Sequence, residues 1–100
     1  MTRETLQAEL QEPESGRWAR VDLTLEQGHI AQGSAETSHL PLLGETVRAV
    51  LNACRGQRRT DVIDLTPGQL CQALHDARLR DDDVAFALRA IQQALLERTH

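Results

Sequence analysis

The chain has 100 residues, 40% of them apolar and 26% charged, with a formal net charge of −4. That length gives one domain (1–100) with a thin core, and the acidic balance excludes a phosphate-backbone binder, which needs clustered basic residues. Trp18 and Phe86 are the only aromatics, so the core falls to Leu, Val, Ile and Ala.

Two cysteines, Cys54 and Cys71, make no disulfide framework. No apolar run reaches the roughly 18 residues of a membrane span. The opening Met-Thr-Arg-Glu-Thr-Leu lacks the apolar stretch of a signal peptide. The expectation is a cytoplasmic protein with reduced thiols.

In chain order, residues 3–11 predict a short helix. Thr2 would cap it, Leu6 and Leu10 share a face at i, i+4, and Pro13 and Gly16 stop it. Residues 18–25 change period: Ala19, Val21, Leu23 and Leu25 alternate with polar residues, a half-buried strand. Glu26-Gln27-Gly28 is a tight turn with Gly28 at positive φ, and residues 29–37 return as the second strand of a hairpin. From Leu43 the pattern is helical, with Leu43, Val47, Val50, Leu51 and Cys54 in one stripe and Gly56 placed to end it. Thr60-Asp61 begins a short turn. Thr66-Pro67 starts a helix whose buried face is Leu70, Ala73 and Leu74. Asp81-Asp82-Asp83 opens the last helix, with Val84, Leu88, Ile91 and Leu95 as its stripe. The layout is α+β, a small antiparallel hairpin sheet packed against helices.

From Val21 to the end, this order resembles the NifU/IscU iron–sulfur scaffold family and the related SufE fold. The residues carrying the resemblance are Val21-Asp-Leu-Thr-Leu-Glu-Gln-Gly28 with Ile30 to Thr37, the helix end Arg55-Gly56-Gln57 (Lys-Gly-Lys in the family), and Arg89-Ala-Ile-Gln-Gln-Ala-Leu95 in the last helix. The resemblance implies a SufE/NifU fold. It also aligns the family's three ligand motifs, Cys-Gly-Asp, Gly-Cys and His-Cys, with Ser15-Gly16-Arg17, His39-Leu40 and Asp82-Asp83. Every ligand thiol is gone, and thiolate is the donor that iron–sulfur clusters need. Ala77-Arg78-Leu79-Arg80 lies near the place of the IscU chaperone segment, Leu-Pro-Pro-Val-Lys, which is absent.

Family members carry a further strand between the first helix and the hairpin, and Gln11-Glu-Pro-Glu-Ser-Gly16 is too short and too poor in β-formers to supply it. A two-stranded sheet is therefore expected, with strand 18–25 left as an open edge where a second copy or a protein partner adds. Trp18, Arg20 and Asp22 on that strand, His39 in the following loop, and Arg55, Arg58 and Arg59 at the helix end are the expected partner-binding residues.

Other clusters have plainer readings. Cys71 and His75 stand at i, i+4, a spacing that suits zinc or iron; with His39 and Asp82 or Asp83 they would make a metal carrier, but two ligands fall short of a structural zinc site. Asp81, Asp82 and Asp83 have the donors of a hard-cation site such as magnesium takes, but carboxylates at a helix N-terminus are what capping and the dipole prefer, and capping is the favoured reading. His39 with Arg17 and Asp82 marks a vestigial site that holds an anion or only ion pairs. No hydrolase, P-loop or dinucleotide motif occurs. The function expected is therefore non-catalytic, without a cofactor: a relative of the scaffold family that assists or regulates iron–sulfur or metallocofactor assembly by protein contact.

Overall fold

A computed structural model of the chain describes residues 3–96, so the expected Thr2 cap lies outside the described residues. Three strands come first, β1 (Arg3–Glu12), β2 (Arg17–Glu26) and β3 (His29–Thr37), and four helices follow: α1 (Leu43–Cys54), α2 (Arg59–Ile63), α3 (Pro67–Leu74) and α4 (Asp81–Leu96). The fold is α+β, an antiparallel β1-β2-β3 meander with helices on one face.

The first expectation to fail is the helix at 3–11. Leu6 and Leu10 satisfy a helical spacing, but Leu6, Ala8 and Leu10 also alternate, and the alternating reading wins. Residues 3–12 pair with all of β2, Leu6 opposite Leu23 and Ala8 opposite Val21. Helix propensity in this stretch is worth only tenths of a kcal/mol per residue. Filling one whole side of a buried strand outweighs it. Pro13 and Gly16, expected to stop a helix, instead turn a hairpin: Gly16 sits at φ 79° and its N–H donates to the Glu12 carbonyl.

The second correction follows from the first. Strand 18–25 is no open edge, because β2 is the central strand, bonded to β1 and β3 on its two sides. Its inward residues Ala19, Val21, Leu23 and Leu25 are buried, as their alternation predicts. Trp18, Arg20 and Asp22 lie half-buried on the face away from the helices, where Arg20 pairs with Glu36 at 3.0 Å and Trp18 Nε1–H donates to Glu9.

The rest of the local reading holds except on α3. Gln27 and Gly28 both take positive φ (54° and 80°), the two-residue turn that matches strand twist. The Leu43–Cys54 stripe is buried throughout, and Thr46 joins it by donating its hydroxyl to the Leu42 carbonyl. Thr66 caps α3 with a reciprocal capping box to Gln69, and Pro67 follows it. On α3 only Leu70 is fully buried; Leu74 is half-buried and Ala73 faces solvent, a correction to the expected face. α4 buries more than its stripe, adding Phe86, Ala90 and Asp83. It lies beneath β1 and β2, with α1 beside it under β3.

Short α2 is held from outside. The Gln92 side-chain amide on α4 donates to the carbonyls of Val62, Ile63 and Leu65 at 3.0–3.2 Å. The Ile63 carbonyl at the helix end and the Leu65 carbonyl just beyond it have no other described donor, while the Val62 carbonyl also accepts the Leu65 N–H. Gln92→Leu is expected to lower stability by about 1–2 kcal/mol in urea unfolding, since it strands those acceptors. A change within about 0.5 kcal/mol would mean that water replaces the amide.

Candidate functional site

Three segments meet at one end of the sheet: the β1–β2 turn, the loop 38–42 between β3 and α1, and the first turn of α4. Each is positioned by backbone rather than chance. Ser38 exchanges bonds with Trp18 at the start of β2, its N–H to the Trp18 carbonyl and its hydroxyl receiving the Trp18 N–H. Leu42 caps α1 in the left-handed region at φ 66°, and its carbonyl accepts the Thr46 N–H. A leucine there carries about 1–2 kcal/mol of backbone cost, held by the surrounding packing.

Between the segments is a cavity of about 230 Å³ lined by Ser15, Arg17, Leu40, Pro41, Leu42, Arg80 and Asp83. The Arg17–Asp83 pair on its floor begins an ion-pair chain that runs on outside the cavity. Arg17 donates from Nε to Asp83 at 2.8 Å and from a terminal nitrogen to Glu12 at 2.7 Å, and Arg89 reaches the other Glu12 oxygen at 2.7 Å. Ser15 adds its hydroxyl to Glu12 at 2.6 Å. Arg17 and Asp83 are little exposed (16% and 8% at the side chain), so this pair is screened far less than the surface pairs elsewhere. The two carboxylates push the Arg17 guanidinium further up its already high range.

The Ser15 hydroxyl, then the Arg17 and Arg89 guanidinium groups, hold the Glu12 carboxyl at about 2, against an ordinary value of 4.5. A depressed carboxylate stabilises the fold above its unfolded value and loses that contribution as pH falls. Stability is therefore expected to drop as pH goes from about 4.5 towards about 2. Asp76, lowered by Arg78, adds to the same acid limb. Glu12→Gln should flatten part of that limb in unfolding curves taken across the range; an unchanged limb would remove Glu12 from the account.

The sequence-predicted residues divide into those gathered here and those placed elsewhere. Ser15, Arg17, Leu40 and Asp83 come together. Asp82 does not: Asp83, one residue on, turns inward to Arg17, while Asp82 and His39 stay exposed. Cys71 and His75 do not share a helix face, because α3 ends at Leu74 and His75 turns left-handed at φ 50°. The Cys71 thiol faces Asp81 at 3.5 Å, and burial first, then that carboxylate, raises its pKa. Cys54 is a core residue whose thiol burial pushes up to about 11. Among the described residues no three His, Cys, Asp or Glu side chains stand close enough to hold a metal ion.

The three arginines of the expected partner surface have separate fates. Arg59 is tied inside the fold, to Glu4 on β1 and to the Leu95 carbonyl on α4. Arg58 pairs with Asp61, and Arg55 donates to the Ala31 carbonyl, both exposed. Sequence reasoning missed Glu12 and Arg89, which are 77 residues apart and carry no local signal, and Arg80, whose neighbour Arg78 is taken up by Asp76. No described helix is long and apolar enough to cross a membrane. No family model matches the chain, and neither does any curated protein.

Proposed function

We propose that the chain is a relative of the NifU/IscU scaffolds, with their fold but without their cluster-ligand thiols, that serves iron–sulfur or metallocofactor assembly in the cytoplasm by protein contact and not by catalysis. The carrying observation is the meeting of Ser15, Leu40 and Asp83 around one cavity. Those are residues of the three separate motifs that the resemblance aligns with the family's ligand positions. Chance alignment gives no reason for residues so far apart in sequence to converge. β1 supplies a strand ahead of the hairpin, as the family layout has, while the family's first helix has no counterpart among the described residues.

The chemistry left at the site is that of recognition. Leu40 and Pro41 are exposed apolar groups, Arg80 is an exposed cation beside them, and the Arg17–Asp83 pair closes the floor where soft donors would be needed. A partner is expected to engage this rim.

The test uses the purified chain with a cysteine desulfurase and with a cysteine-bearing scaffold. Binding to either, lost in Leu40→Asp and Arg80→Glu, is the expected result. Anaerobic reconstitution with iron and sulfide is expected to leave the chain colourless. A stable cluster on the chain, or no binding to either protein, sinks the proposal.

A further inference from the structure

The two edges of the sheet are finished differently. The outer edge of β3 is stitched at its start by the segment after α1: Ile30 N–H donates to the Gln57 carbonyl, Gly56 N–H to the Ile30 carbonyl, and Arg59 N–H to the Gly28 carbonyl. The outer edge of β1 has nothing comparable. Over ten residues its backbone bonds run to β2 and the following turn, with no other described residue. A long unpaired edge is a template for another strand unless something blunts it.

Charge is the usual blunting device, and β1 carries Arg3, Glu4, Glu9 and Glu12. Its pattern can be tested against itself. An added antiparallel copy must keep Leu6 and Ala8 on the helix side, so only even shifts of register are allowed. Centred on Ala8, the pairing sets Glu4 against Glu12 twice, a like-charge clash. Centred on Gln7, it sets Glu4 against Leu10. Centred on Leu6, it sets Leu6 against Leu6 on the helix side, and on the open face Arg3 against Glu9, twice by symmetry.

Both members of that charge pair are available. Arg3 is exposed and, among the described residues, approaches only Glu26, at 4.0 Å. Glu9 uses one carboxylate oxygen for Trp18 and Gln11, and the other has no described partner. Glu4, which would face Ala8, is already neutralised by Arg59 at 3.8 Å. We propose that β1 pairs antiparallel with β1 of a second copy in the Leu6-centred register, making a six-stranded sheet across a two-fold axis. The inference does not rest on the iron–sulfur reading and can stand or fall apart from it.

The experiment is light scattering with size exclusion on the full chain over a concentration series. A reversible dimer is expected. Arg3→Glu should weaken it at least roughly tenfold, because it sets two like-charge contacts in place of two pairs. Adding Glu9→Arg to that variant restores opposite charges and should restore the dimer. Amide exchange in β1, slowing as concentration rises, gives a second reading that does not depend on the variants. A monomer at every concentration, or a dimer indifferent to the charge swap, overturns the proposal.

Discussion

Arg17→Ala is expected to lower stability by about 2–4 kcal/mol, a large share of the roughly 5–15 kcal/mol that holds a small domain together. The loss does not come mainly from the attraction removed. Asp83 is buried on the first turn of α4, and without the guanidinium at 2.8 Å it keeps the cost of leaving water with no partner. The helix N-terminus offsets some of that, which is why the figure is below the top of the usual range. Glu12 would be left with Ser15 and Arg89 at a half-buried position, a smaller matter.

A second variant separates the two causes. Arg17→Met with Asp83→Leu removes both charges and leaves apolar volume, and should recover most of the loss. Urea unfolding of the two variants and the parent decides it. If Arg17→Ala alone stays within about 0.5 kcal/mol of the parent, Asp83 finds water on losing its partner, and the cavity floor is wetter than its burial implies.

The same residues mark what could be read from sequence. Elements whose cause is local were legible: the alternation of β2, the Gln27-Gly28 turn, the α1 stripe, the Thr66-Pro67 start and the triple Asp opening α4. β1 was not, because Leu6 and Leu10 fit both periods, and what decides between them is the vacant side of β2. With residues 3–11 read as a helix, β2 becomes an edge strand that the structure does not have, and the expected partner surface on it falls with that edge. At the site, Ser15, Leu40 and Asp83 were reachable only through an aligned order of elements. Nothing within a few residues of any of them says that they meet. Glu12 with Arg89, and Gln92 with the α2 carbonyls, depend on partners 77 and about 30 residues away. Local pattern holds no record of such pairs.

Placing soft donors at the three aligned positions is the strongest test of the proposed reading. Ser15→Cys, Leu40→Cys and Asp83→Cys would place three thiols on the walls of one 230 Å³ cavity. Arg17→Asp in the same chain removes the cation that would repel a metal and supplies a fourth, carboxylate donor. Three thiolates and a carboxylate meet the tetrahedral demand of zinc. The fourfold variant is expected to bind one zinc at least about 100-fold more tightly than the parent in competition with a chromophoric chelator. It should also take up iron and sulfide with the charge-transfer absorption of a thiolate cluster. The change removes the buried Arg17–Asp83 pair as a whole, Glu12 keeps Arg89, and the new carboxylate at position 17 is neutralised by the bound metal, so the fold should survive in the metal-loaded chain. If circular dichroism finds the variant folded while zinc binds no better than before, the three walls do not converge as ligands must. The proposed kinship with the scaffold family then loses its main support.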